Sequence, residues 1–205
     1  MTNRYQADGV QGDSQPGSGD QVLANRLGIA DPEEIAEAEL ILLQQLYEAV
    51  LLHDLPNRAL RVEDLVGWHR RWLGNLYDWA GQMRSVNVSK DGFMFAAAGL
   101  VPQLLGTFER DCLARYTPCH GMSEDALAEA IAVVHIELIL IHPFREGNGR
   151  LSRLLADVMS VQAGREPLDY SDWDADKPRY FAAIRDGQGN DYAPMKRLVE
   201  LTLAR

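Results

Sequence analysis

Between Ser123 and Ile141 a helical reading places apolar side chains on nearly every face, through Leu127, Ile131, Val134, Leu138 and Ile139. A helix with no polar face has nowhere to go but the centre of a bundle. Ser123-Glu124-Asp125 supplies its cap, and His142-Pro143 its end, because proline disfavours helical geometry in the residue before it. A second apolar stripe, Leu151, Leu154, Leu155 and Val158, starts near Asn148 and closes at Gly164. Two buried helices joined by one short loop, His142 to Gly149, therefore organise the chain.

The remaining segments pack around this pair. Asp31-Pro32-Glu33-Glu34 is a helix start, with Ile35, Leu42, Leu43, Leu46 and Val50 on one face and an end at Pro56-Asn57. Leu65, Trp68, Trp72 and Leu76 stripe the next helix. Val86 and Val88 alternate with Ser85, Asn87 and Ser89 ahead of Asp91-Gly92, the pattern of a lone β-hairpin. Helical spacing resumes at Val101, Leu104, Leu105, Phe108 and Cys112, and two shorter helices follow, around 180–185 and from Pro194 onward. Residues 1–20 are rich in Gly, Gln, Ser and Asp and read as a flexible tail, leaving 21–205 as one domain.

Charge and cysteine content exclude several functions. A formal net charge of -10 gives no general electrostatic grip on nucleic acid or anionic lipid. Cys112 and Cys119 are the only cysteines, which gives neither a disulfide framework nor a zinc site. No apolar run approaches about 18 residues, and no leader pattern opens the chain, so a cytoplasmic protein is expected.

The chemistry is concentrated in the loop. Gly147 and Gly149 let backbone N–H groups face a ligand at a helix N-terminus, which is an anion site. Arg150 and Arg153 stand in the first turns of that helix, where cations oppose the helix dipole, and a bound polyphosphate supplies the reason for them. A polyphosphate commonly arrives with a divalent cation, and Glu146 is the nearest hard oxygen ligand for Mg2+. His142, at the other lip, is suited to take a proton from an incoming hydroxyl. Transfer of a nucleotide phosphorus to a protein hydroxyl is the chemistry such a set promotes.

His142 to Arg150, followed by Arg153, resembles the signature of the Fic family: histidine, any residue, phenylalanine, any residue, an acid, Gly-Asn-Gly-Arg, two residues and arginine. Leu76-Tyr77-Asp78-Trp79-Ala80-Gly81 and Asn190-Asp191-Tyr192-Ala193-Pro194 extend the likeness from about residue 22 to the end. The resemblance implies an all-α bundle with one β-hairpin flap, and transfer of AMP from ATP to a side-chain hydroxyl of a target protein. His142 would then be the general base, Phe144 a core anchor and Glu146 the Mg2+ ligand, with Asn148 and Arg150 counted among the catalytic residues. Gly147, Asn148 and Gly149 would form the anion hole, Arg150 and Arg153 would hold the outer phosphates, and Ser89, Lys90 and Phe93 would belong to a flap that docks the target by strand addition.

Relatives that phosphorylate carry lysine where this chain has Gly149, so glycine favours AMP transfer over the phosphotransferase alternative; a non-catalytic nucleotide-binding module is the other. The family's inhibitory motif, Ser or Thr, three residues, Glu, then Gly or Asn, is absent: only Glu146 is followed by either, and His142 stands four residues before it. A separate antitoxin protein is the expected brake, and a type II topoisomerase subunit an expected target. His135, Trp68, Trp72 and Trp79 are read as core, His53 and His69 as structural or exposed and His120 as a loop residue too isolated for a metal site, and the adenine pocket is expected in the C-terminal third, near Asp191.

Overall fold

A computed structural model describes residues 6–7, 13–90 and 92–203. Its centre is α5 (Glu124–Ile141), largely buried from Leu127 onward and packed chiefly against α9 (Ala193–Leu203) and α6 (Asn148–Gln162). Ser123 caps α5 by accepting the N–H of Ala126 at 3.3 Å, as its sequence predicts.

Around this core stand α1 (Pro32–Glu48), α2 (Val62–Leu73), α3 (Val101–Phe108), α4 (Ala114–Tyr116), α7 (Ser171–Ala175) and α8 (Lys177–Gly187). Asp31 caps α1 through Oδ1, which accepts the amides of Glu33 and Glu34 at 2.8 and 3.0 Å. Two π-helical turns, Ala49–His53 and Glu109–Leu113, prolong α1 and join α3 to α4, and neither has a signature in the hydrophobic spacing. The short α7 is also unforeseen. Among the described residues no helix is long and apolar enough to cross a membrane.

The fold is the expected all-α bundle with a β-hairpin, β2 (Val88–Lys90) and β3 (Phe93–Met94). The hairpin gains a third antiparallel strand, β1 (Gln6–Ala7), which pairs with Ser89 and Val88 along the free edge of β2. Residues 13–20 also differ from the expected tail. Gln15 N–H donates to Val22 O at 2.8 Å, Ala24 N–H to Asp13 O at 2.9 Å, and Ser18 is buried. Val22 and Leu23 belong to the core and draw this turn onto the body, so a boundary at residue 20 falls inside a hydrogen-bonded unit. The rest of the expected tail lies outside the described residues.

Candidate active site

The loop between α5 and α6 is held from three sides. His142 ends α5 in the left-handed region (φ 51°), with its N–H still donating to Leu138 O at 3.0 Å. Its carbonyl, with that of Ile141, would be left unsatisfied at a buried helix C-terminus. Arg84 supplies the donors: Nε to His142 O at 2.6 Å, Nη2 to Ile141 O at 3.2 Å and to Ala96 O, Nη1 to Val86 O at 2.8 Å, and its own N–H to Pro143 O at 2.8 Å. Burial pushes this guanidinium down to about 10, which still leaves it charged at neutral pH.

Asn148 closes the loop on itself. Its Oδ1 accepts the N–H of Phe144 at 2.9 Å and its Nδ2 donates to Phe144 O at 2.8 Å. The side chain is thus used within the loop, and the backbone N–H is what Asn148 has to offer an anion. Phe144 is buried and stacked on His69 at 3.9 Å between centroids, while His69 Nε2 donates to Glu146 O at 3.0 Å. Gly147 has φ +83°, and a Cβ there would lie 2.6 Å from the Trp72 ring. Only glycine meets both demands.

A cavity of about 460 Å3 opens beside the loop, lined by Ile139, His142, Gly149, Arg150 and Arg153 on one side. Lys90 and Phe93 come from the hairpin, Phe95 from just past it, and Lys177, Tyr180, Phe181, Ile184 and Arg185 from α8. No Asp or Glu is among the described residues lining it, although acids outnumber bases in the chain. A Cβ at Gly149 would meet nothing within 4 Å, so this glycine keeps the wall clear where the amides of the first turn of α6 lack helical partners. The lining combines cations with apolar and aromatic side chains.

His142 is buried yet borders this cavity, with Phe95 stacked on it at 3.7 Å. Its Nδ1 lies 3.1 Å from Ile139 O. A carbonyl can only accept, so Nδ1 carries the hydrogen and Nε2 of the neutral ring holds the lone pair. Burial, with Arg84 and Lys90 adding to it, pushes the imidazole down to about 3.

Arg150 and Arg153 both reach the cavity and both carry carboxylate partners. Arg150 Nη1 meets Glu39 Oε2 at 2.8 Å, its Nη2 stands 3.9 Å from Glu146 Oε1, and its guanidinium lies over Trp72 at 4.5 Å. Arg153 is forked onto Asp174 at 2.8 and 3.1 Å and stacked on Tyr170. Glu146 Oε1 accepts Gly147 N–H at 3.0 Å. Among the described residues no group of three or more His, Cys, Asp or Glu could hold a metal alone. A lone carboxylate nevertheless fits Mg2+, which is commonly bound through one or two carboxylates plus substrate phosphates.

The Fic/DOC family profile matches residues 59–160, which contain this loop, the hairpin, α5 and most of α6. A Sinorhizobium fredii protein named "Probable protein adenylyltransferase" is 31% identical over 179 residues, covering 86% of this chain and 88% of that protein. This chain is a member of the Fic/DOC family. Among solved structures, the BepC protein of Bartonella tribocorum, with bound AMPPNP, superposes with a TM-score of 0.74 at 24% identity, covering 92% of this chain and 94% of that one. The N-terminal Fic domain of a VirB-translocated Bep effector from Bartonella quintana gives 0.72 at 26%, covering 88% and 87%.

Within this Fic domain several expected residues stand apart from the cavity. Ser89 lies in β2 but is not in the cavity lining, whereas Lys90 and Phe93 are, with Lys90 Nζ 5.7 Å from the Phe181 ring centroid. Asp191, expected near the adenine pocket, instead caps α9 by accepting Ala193 N–H at 3.1 Å, and its neighbours Asn190 and Tyr192 line a different cavity. The apolar wall comes from α8, whose sequence signals only a helix. Arg84, Phe95 and Glu39 escaped the sequence reading. Their signals were faint: a cation inside the alternating hairpin segment, an aromatic just past it, and an acid on the apolar stripe of α1. His135 is a satisfied core histidine, bonded to Tyr180 Oη and Ser152 Oγ, both at 2.8 Å.

Proposed function

We propose that this Fic protein transfers AMP from ATP to a side-chain hydroxyl of a target protein. The observation that carries the reading is a neutral imidazole bordering the same cavity as Arg150, Arg153, Lys90, Lys177 and Arg185. Cations with the first-turn amides of α6 suit a triphosphate, and the aromatic wall of Tyr180 and Phe181 suits a base. The named activity of the Sinorhizobium relative and the AMPPNP bound to the Bartonella tribocorum protein support it.

In the proposed step the target hydroxyl oxygen forms a bond to the α-phosphorus, the bond from that phosphorus to the bridging oxygen breaks, and pyrophosphate leaves. The hydroxyl proton passes to Nε2 of His142. Nε2 is buried in this conformation, so the hydroxyl reaches it with a local shift of the site. Glu146 would hold Mg2+, which when bound neutralises charge on the phosphate oxygens. Because Gln6–Ala7 already pairs with β2, a target strand either replaces β1 or adds at β3. With no inhibitory motif in the sequence, a separate antitoxin acting near Arg153 is the proposed restraint, the cytoplasm the proposed place of action and a type II topoisomerase subunit the first target to try.

Incubation of the chain with a target lysate and ATP labelled at the α or the γ phosphate tests the reading. Label from the α position on protein, lost in His142→Ala, is the expected result. Protein label from the γ position alone would make it a phosphotransferase, and failure to bind ATP would remove the enzymatic reading.

A further inference from the structure

Glu39 is a buried acid on the apolar stripe of α1, between Ile35 and Leu46. A carboxylate in that position is costly to desolvate, and a leucine would pack more cheaply. Its partners account for it. Oε1 accepts the hydroxyl of Tyr77 at 2.6 Å, and Oε2 forms an ion pair with Nη1 of Arg150 at 2.8 Å. The backbone carbonyl of Glu39 accepts the indole N–H of Trp72 at 2.8 Å. The ring of Trp72 in turn supports the Arg150 guanidinium and packs against Gly147.

Arg150 is therefore gripped on one edge and one face, while its side chain remains 37% exposed and borders the cavity. A guanidinium is planar and its donors are fixed relative to one another, so an ion pair at Nη1 together with a ring against one face orients the rest. We infer that Glu39 is a positioning residue for nucleotide binding: it fixes Arg150 so that the remaining donors of its fork meet the phosphates of a nucleoside triphosphate. Since Glu39 neutralises the charge of Arg150, that arginine contributes direction more than net attraction. The inference rests on the adenylyltransferase reading, in which the cavity takes ATP. It also reaches across the chain, because the residue that aims the motif arginine stands on the first helix, outside the matched family segment.

The test is calorimetric titration of ATP and of AMP into the full chain as wild type, Glu39→Gln, Arg150→Ala and the double variant, with thermal melts for each. Glutamine keeps the shape and a bond to Tyr77 but loses the ion pair with Arg150. Glu39→Gln is expected to weaken ATP by about ten-fold while AMP, which lacks the outer phosphates, changes by less than about two-fold. In the Arg150→Ala background the same substitution should add nothing, because its effect passes through that side chain. Equal losses for ATP and AMP, or additive losses in the double variant, would overturn the inference in favour of a packing role. Should Glu39→Gln fail to fold, Tyr77→Phe removes only one bond to Glu39 and is expected to weaken ATP by about three-fold with AMP unmoved; equal effects on both ligands overturn the inference there too. A wild-type chain that bound no ATP would instead defeat the adenylyltransferase reading, whereas wild-type binding with an unaffected Glu39→Gln defeats this inference alone.

Discussion

Nε of Arg84 donates to the carbonyl oxygen of His142 at 2.6 Å, so the residue that opens the hairpin segment also terminates the central helix. One buried guanidinium joins hairpin and loop because both present carbonyls that no regular ladder satisfies. Replacing Arg84 with methionine keeps much of the volume and removes every donor. The expected cost is about 3 kcal/mol or more, since each stranded buried acceptor costs about 1–3 kcal/mol. Urea denaturation monitored by circular dichroism measures it, and a loss under 1 kcal/mol would show that water replaces the guanidinium.

The two loop glycines should respond in opposite ways. Gly147→Ala forces a Cβ into Trp72 at a left-handed φ, so stability should fall by about 2–4 kcal/mol. Gly149→Ala meets open space inside a helix and should leave the melt unchanged or raise stability by up to about 1 kcal/mol, while weakening ATP binding because the methyl enters the cavity. Melting curves and ATP titration on the two variants check both halves.

His142→Ala should lower turnover by about 10²–10⁴-fold, the usual contribution of a positioned general base, while the chain stays folded. The pH profile carries a sign. The imidazole of the free protein is pushed down to about 3, so it is in its proton-accepting form at every pH above that. No acid limb due to His142 is expected in kcat/KM between about pH 5 and 8. Bound triphosphate favours the imidazolium, so any acid limb in kcat should lie at higher pH than in kcat/KM. A kcat/KM that halves near pH 6.5 and is abolished as a feature by His142→Ala would contradict the buried, neutral assignment.

Acid stability follows from three histidines that burial holds low: His69 at about 4, His135 and His142 at about 3. Between pH 4 and the ordinary histidine value of 6.5 the unfolded chain binds protons on all three and the folded chain binds few, so stability rises with pH across this window and is lost on acidification. Asp157 acts the other way. Burial raises it to about 6 from 3.8, so its contribution is full below 3.8 and fades as pH rises through 6. Near pH 5 the difference is a net uptake of roughly two protons on unfolding, measurable from urea midpoints across a pH series. A flat stability curve from pH 4 to 6.5 would be incompatible with these assignments.

Arg153→Ala should weaken ATP markedly and stability little. Its fork on Asp174 is partly exposed, and ion pairs of that kind contribute about 0–1 kcal/mol. Fluorescence of the neighbouring Trp173 gives the melt and calorimetry the affinity. Unchanged ATP affinity in this variant would remove Arg153 from the nucleotide site.

The longer helices, the buried α5, its stop at His142-Pro143, the restart at Asn148 and the caps at Asp31 and Ser123 were legible in the sequence, because each depends on side chains within a few residues of one another. So was the signature from His142 to Arg153, whose spacing is itself a statement about one loop and one helix turn. What the sequence left open depends on neighbours far along the chain. That Arg84 would meet the carbonyls of residues 141 and 142, that Glu39 would pair with Arg150 and that α8 rather than Asp191 would wall the cavity were decided by packing. Local spacing fixes which face of a helix is apolar. It carries no information on which buried polar group will find which partner, and that pairing exists only once the helices have closed around the core.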